Sequence, residues 1–261
     1  MVVFFDIDGT LVDEQTQIIP PSAKQAISLL RQKGHLPVLN TGRPSGHVDP
    51  RLLELDFAGM VCSCGMEVYL EGKPLLQARL PQGLCEKVRS MSRLCRMQVL
   101  YEMPDKMLVD GEFSTCPACL AETRRMIARG TPPVVQYDDE PNPEFIKLGA
   151  FDGPGCDKKR FLSFMEEYFE CIVRSDTFVE CVAKGYSKAT GMDVLLRHLG
   201  LTRKDAVAIG DSMNDLSMFA AAGTTIAMGG CKEGLKPYAS YITDTVLNDG
   251  IWKALKHYDL I

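Results

Sequence analysis

VVFFDIDGTLVDE, residues Val2 to Glu14, runs four apolar residues straight into two aspartates one residue apart and then breaks at Gly9. A short continuous apolar run suits a strand covered on both faces. Asp6 and Asp8, two apart in an extended segment, project to the same side. Gly9 lets the chain turn sharply after them. The buried strand fixes the pair, and the break leaves room for a ligand to approach.

Outward from that stretch, strand and helix alternate, the pattern of a doubly wound parallel sheet. Pro20-Pro21-Ser22 opens a helix with Ala23, Ala26, Ile27 and Leu30 on one face, closed by Gly34. Leu36–Leu39 reads as the next strand, ending at Asn40-Thr41-Gly42-Arg43, and Met60–Ser63 as a third. Glu67–Leu70 and Leu75–Arg79 flank Glu71-Gly72-Lys73-Pro74 as a hairpin, and a helix over 82–96 follows with Leu84, Val88, Met91 and Cys95 inward. Gln98–Tyr101 with Lys106–Val109 forms a second hairpin; helices near 116–129 and 157–168 alternate with strands near 146–151 and 178–182. Alternation resumes with a helix over 187–199, a strand over 206–209 ending at Gly210-Asp211, a helix over 213–222, a strand over 225–228 and a closing helix over 248–258. The expected organisation is a discontinuous α/β core, residues 1–80 and 185–261, interrupted by an α+β unit over 81–184.

A net charge of −5, with basic residues scattered, argues against a broad nucleic-acid surface. No apolar run approaches the roughly 20 residues needed to span a bilayer. The N-terminus reads as no signal peptide, so a cytoplasmic protein is expected. Its ten cysteines then read as reduced thiols. Cys116-Pro117-Ala118-Cys119 is a CxxC, but the second half of a four-ligand zinc site is not visible, and a metal or redox role for Cys116 and Cys119 stays open.

In an open parallel sheet ligands bind beyond the carboxyl ends of the strands. Three strands end in Asp6 and Asp8, in Thr41, and in Asp211, while Lys188 and Asp215 sit at helix starts. Carboxylates gathered in one crevice repel one another and invite a divalent cation. All-oxygen ligands favour Mg²⁺, which commonly bridges to a phosphate. The set suits phosphoryl transfer, which rests on positioning and charge neutralisation, and a carboxylate can serve as nucleophile.

Asp6-Ile7-Asp8-Gly9-Thr10-Leu11, Thr41-Gly42-Arg43, Lys188 and Gly210-Asp211-Ser212-Met213-Asn214-Asp215 resemble the four motifs of the haloacid dehalogenase superfamily. The insertion between the second and third motifs is similar to the type IIB cap of its Cof-like phosphatase branch. The resemblance implies a Rossmann-like core with an inserted cap. It implies Asp6 as nucleophile and Asp8 as general acid, then base. Thr41 and Lys188 would hold phosphate oxygens, with Gly42, Arg43 and Asn214 on the substrate side. Mg²⁺ would be bound by Asp6, the main-chain carbonyl of Asp8, and Asp211, with Asp215 supporting the metal's waters or orienting Lys188. Two places depart from the pattern: Cys64-Gly65-Met66 stands where many relatives have Asn-Gly-Ala, and Ala189 follows the lysine where glycine is more usual.

Taken singly, each motif has an ordinary structural explanation, from a plain turn to a helix cap; their joint occurrence favours chemistry. A calcium loop fails, because placing Gly9 at its sixth position puts Phe4 at the first ligand. His35, His47, His198 and His257 have no ligand spacing and read as surface or packing residues. The expected activity is hydrolysis of a small phosphorylated metabolite, a sugar phosphate or a phosphorylated cofactor, through an aspartyl-phosphate. The alternatives are a phosphomutase and a non-catalytic metal- or ligand-binding regulator. Glu102, Asp110, Glu112 and Lys147 are candidate cap-side contacts, with solvated surface as their ordinary reading.

Overall fold

The computed structural model describes residues 1–111, 117, 119–121, 124 and 133–261. Cys116, Glu112 and most of the helix expected over 116–129 lie outside the described residues. The chain gathers into two compact units, one of Met1–Gly42, Arg51–Gln77 and Tyr186–Ile261, the other of Arg43–Pro50 and Ala78–Gly185.

In chain order the first unit begins with β1 (Val2–Phe5), α1 (Pro21–Gln32), β2 (Leu36–Asn40), β3 (Gly59–Cys62), β4 (Glu67–Leu70) and β5 (Lys73–Gln77). The second unit holds α2 (Gln82–Leu94), β6 (Gln98–Glu102), β7 (Met107–Val109), β8 (Val134–Gln136), β9 (Lys147–Phe151), α3 (Lys158–Met165), β10 (Phe169–Ser175) and β11 (Phe178–Ala183). The first unit then resumes with α4 (Lys188–His198), β12 (Ala206–Gly210), α5 (Leu216–Ala220), β13 (Thr224–Ala227), β14 (Tyr241–Ile242) and α6 (Gly250–His257).

The first unit's sheet has the order β14-β13-β12-β1-β2-β3-β4-β5. Its strands pair in parallel from β14 to β3, and β4 and β5 add an antiparallel hairpin. β1 lies between β12 and β2, so the strand reading Val-Val-Phe-Phe is central and buried throughout. Val2 and Phe4 pack with Val38, Val61, Ala206 and Ala208 against Met192, Leu195 and Leu196 of α4. The buried stripe of α1 (Ala23, Ala26, Ile27, Leu30) is absent from that cluster. α1 instead touches β2 and α6, and so covers the opposite face. Each large apolar side chain buried this way stabilises by about 1.5–3 kcal/mol.

The second unit carries the sheet β10-β11-β9-β6-β7-β8, antiparallel except for the β7–β8 pair. Phe151 and Phe178, paired across β9 and β11, stack with ring centroids 4.5 Å apart. The Arg43–Pro50 segment joins this unit through Gly46, whose amide donates to Pro104 O at 2.9 Å, and through His47, bonded by Nε2 to Met103 O at 3.1 Å.

Three local expectations shift. The first hairpin turns on Glu71 and Gly72 alone, both at positive φ, as a two-residue loop between right-twisted strands requires. Of the inward face expected for α2, Val88 is buried, as is Cys95 at its C-cap, but Leu84 and Met91 are only half-buried and Cys85 and Ser92 are buried instead. The stripe rotates because Ser92 can be buried: its hydroxyl donates to Arg89 O at 2.8 Å and meets Tyr101 OH at 2.7 Å. β10 has no counterpart among the expected elements, since its Glu170 and Arg174 hide the alternation; it forms as an edge strand, where charge is tolerated.

Candidate active site

The first unit brings the ends of β1, β2 and β12 side by side. Phe5 pairs with both Leu39 and Ile209, and the amide of Asp6 donates to Ile209 O at 3.0 Å. Asp6 therefore leaves β1 next to the end of β12, where Asp211 begins. Thr41, beyond β2, is buried; its amide donates to Val61 O at 2.8 Å and its carbonyl accepts from Cys64 at 3.2 Å. After Asp6 the chain folds over itself: Gly9 donates to Val12 O at 2.8 Å, and Leu11 and Val12 both donate to Ile7 O at 2.9 Å. Gly9 sits at φ +80°, and a β-carbon there would lie 2.5 Å from Asp211 Oδ2. Glycine at this position is what admits Asp211. Asp8, half-buried, occupies the same turn.

Lys188 enters from the start of α4. Ser187 caps that helix in a reciprocal box with Thr190. Its first turn lies hard against the loop after β3: a β-carbon on Gly65 would overlap Ser187 O, and one on Gly191 would lie 2.9 Å from Gly65 Cα. This close approach carries Lys188 into the interior, where it is 1% exposed. Its ammonium donates to Asp6 Oδ1 and to Asp215 Oδ1, the latter at 2.5 Å. Asp215 is fully buried, and its other oxygen accepts the amides of Asp211 at 2.9 Å and Ser212 at 3.0 Å. Asp215 is thereby fixed from both sides, between the lysine ammonium and two backbone amides.

The electrostatics are unbalanced. Oxygen atoms of Asp6, Asp211 and Asp215 lie within 4.8 Å of one another, and all three residues are buried. Burial pushes the Asp6 carboxyl well above its ordinary range; Lys188 opposes this, while Asp215 and Asp211 add to it. Burial likewise lifts Asp211 to about 7, with Asp215 and Glu14 adding and Lys188 and Thr10 opposing. Burial would neutralise Lys188, but the carboxylates of Asp215 and Asp6 outweigh it and hold the ammonium charged. With all three carboxylates ionised, the single ammonium would leave a formal deficit of two positive charges, the imbalance that, on top of burial, lifts Asp6 and Asp211 in the absence of another cation. That deficit, with hard oxygen donors and no His or Cys among them, fits a small divalent cation.

The remaining expected site residues fall around this centre or apart from it. Asn214 is half-buried in the single turn before α5, its amide oxygen accepting from Ser212 Oγ at 2.6 Å. Gly42 closes the first segment of the first unit, and Arg43 opens the 43–50 segment of the second. Two contributors were not singled out in the sequence. Thr10 is fully buried and donates to Asp211 Oδ1 at 3.4 Å. Asn40, also buried, donates from Nδ2 to Lys188 O at 3.4 Å. Each sits beside a named residue, and polarity at a buried strand end was the available signal.

In the second unit, Lys147 and Glu102 are buried rather than solvated. Lys147 faces Glu102 across β9 and β6, with Nζ 3.7 Å from its Oε1, and is ion-paired to Glu180 of β11. Arg174 Nε donates to Glu180 Oε2 at 2.8 Å. Burial works against the charge on Glu180, but Lys147 and Arg174 outweigh it and hold the carboxyl down at about 2. Asp110 pairs with Arg89 at 2.6 Å and Arg93 at 2.8 Å.

The family model described as haloacid dehalogenase-like hydrolase matches residues 3–255. The chain is 27% identical over 265 residues to 5-amino-6-(5-phospho-D-ribitylamino)uracil phosphatase YcsE of Bacillus subtilis, covering 99% of this chain and 96% of that protein. Among solved structures, a hypothetical protein from Geobacillus kaustophilus superposes with a TM-score of 0.87 at 28% identity, over 100% of this chain and 99% of that one. The subclass IIB sugar phosphatase BT4131 superposes with a TM-score of 0.81 at 26% identity, again over 100% and 99%.

Proposed function

Because the chain belongs to the haloacid dehalogenase-like hydrolase family, we propose that its buried acidic centre is the active site of a Mg²⁺-dependent phosphatase acting on a small phosphorylated metabolite. The observation that carries this reading is the Asp6–Lys188–Asp215 ion pairing beside Asp211, a buried arrangement short of two positive charges when all three carboxylates are ionised. Asp6, Asp211 and the carbonyl of Asp8 would hold the ion, with Asp215 behind them. A divalent cation bound there would supply the missing charge and neutralise phosphate oxygens, as positioning-driven phosphoryl transfer requires.

The chain's own residues carry the steps. Lys188 holds Asp6 by one oxygen, which leaves the other to attack phosphorus. The bond to the leaving oxygen breaks as Asp8 gives it a proton, and the phosphoryl group rests on Asp6 as an acyl phosphate. Asp8, now ionised, takes a proton from water, whose oxygen attacks the same phosphorus and frees Asp6. Thr41, Gly42, Arg43 and Asn214 are assigned to phosphate and substrate contacts. The relatives' names support the substrate class: a phosphorylated ribitylaminouracil for YcsE and sugar phosphates for BT4131. No described helix is long and apolar enough to cross a membrane.

A panel of phosphorylated metabolites and a generic aryl phosphate, assayed for free phosphate with and without Mg²⁺, tests the reading. Metal-dependent release that vanishes in Asp6→Asn is expected. An isomerised sugar phosphate in place of free phosphate would move the reading to a phosphomutase. Absence of metal-dependent turnover across the panel would move it to a non-catalytic binder.

A further inference from the structure

We propose that Cys171 and Cys181, facing each other across β10 and β11 of the second unit, are a modification site: a dithiol that peroxide converts reversibly to a cross-strand disulfide. The two residues are direct partners in the antiparallel register. Lys184 donates to Tyr168 O at 2.9 Å, so hydrogen-bonded pairs fall at 168/184, 170/182 and 172/180. Cys171 and Cys181 thus form a non-hydrogen-bonded pair, the type whose side chains stand closest. Their sulfurs are 3.7 Å apart and both thiols are free. Opposed cysteines in such a pair have the backbone separation a disulfide needs. Rotation about the two Cα–Cβ bonds closes the remaining gap.

The two thiols are also unequal in the way a sensing and a resolving thiol should be. Cys181 is buried, whereas Cys171 is half-exposed on the edge strand and open to a small oxidant. The contact with Cys181 holds the Cys171 thiol below its usual range, against the opposing effect of burial, while the same contact and burial push Cys181 up. Thiolate character and access select which cysteine reacts first. The Cys171 thiolate attacks one peroxide oxygen, breaking the O–O bond and forming a sulfenic acid; the other oxygen leaves as water after protonation. The Cys181 thiol then attacks the Cys171 sulfur and expels the sulfenic oxygen as a second water. Two thiols and one peroxide become one disulfide and two waters.

The bond would tie β10 to β11 beside Glu180 and Arg174, the residues of the buried ion network. Several other thiols are poorer targets: burial pushes Cys62 well up, and Cys85 up to about 11.

The reduced full chain, treated with a small molar excess of hydrogen peroxide, alkylated and digested, tests the proposal. Expected are the loss of two titratable thiols, a mass lower by two hydrogens, and a single cross-linked peptide pair joining Cys171 to Cys181, reversed by dithiothreitol. Cys171→Ser should abolish the cross-link; its fold is checked by circular dichroism, and the wild-type peptide map decides the question without it. Over-oxidation of Cys171 to sulfinic acid with Cys181 still alkylated, cross-links only at other cysteines, or full alkylation of both residues would each overturn it.

Discussion

Lys188 is the residue on which the charge balance turns. Replacing it with methionine keeps most of the volume but leaves Asp6 and Asp215 without their shared cation. Removing one partner of a buried ion pair typically costs about 3–5 kcal/mol. The expected result is a marked drop in thermal midpoint for Lys188→Met without metal, and a loss of turnover of roughly 10²–10³-fold, in line with removing one preorganised electrostatic group. Equal turnover by the variant would deny the lysine its role. Gly9→Ala is a sharper steric test, since the new β-carbon would lie 2.5 Å from Asp211 Oδ2. Weakened Mg²⁺ affinity is expected by calorimetry. At this scale much was legible: Asp6, Asp8, Thr41, Lys188 and Asp211 stand where strands or helices begin or end. Thr10 and Asn40 were not, because a buried polar side chain announces itself in sequence only through a neighbour already recognised. Glu180 and Arg174 were hidden for another reason, since ion pairs across three strands depend on a register that no local pattern encodes.

At the scale of the element, the first turn of α4 is placed by two glycines. Gly191 sits one turn into the helix rather than immediately after Lys188, and it meets Gly65 backbone to backbone. The two apparent departures from the family pattern, Cys64-Gly65-Met66 and Ala189-Thr190-Gly191, therefore meet at one contact. Gly191→Val would drive a branched side chain into Val61 and Gly65. Overpacking of this kind costs about 1–3 kcal/mol, and shifting the helix start should displace the ammonium. Turnover is expected to fall further than stability alone accounts for, as measured at a temperature where circular dichroism shows the variant folded. Unchanged turnover would mean that the helix start does not position Lys188. The helices and central strands were readable because their apolar periodicity is strong. β10, the rotated face of α2 and the short β14 were not, because edge exposure, a hydroxyl pair and a two-residue strand leave no periodic trace.

For the molecule as a whole, the two units should differ in acid sensitivity. In the second unit, burial, aided by Lys147 and Arg43, holds His47 at about 4, below its ordinary 6.5. Glu180 is held at about 2, below an ordinary 4.5. Both groups bind fewer protons folded than unfolded in those windows, so both lose stability on acidification. His47 contributes its share above about 6.5 and loses it as pH falls towards 4; Glu180 does so between about 4.5 and 2. For Glu180 the linkage is worth on the order of 3 kcal/mol at neutral pH. Glu180→Gln should flatten the lower part of the acid-unfolding curve, followed by hydrogen exchange in β9 and β11. A curve of unchanged slope would contradict the network's role.

In the proposed reaction Asp6 carries the phosphoryl group. Acid-quenching the enzyme within its first turnover of a radiolabelled aryl phosphate in Mg²⁺, then mapping the label by peptide, tests it most directly. A hydroxylamine-labile label on Asp6, absent from Asp6→Asn, is expected. Label on any other residue, or phosphate released with no labelled protein at any quench time while Asp6→Asn keeps full turnover, would contradict it.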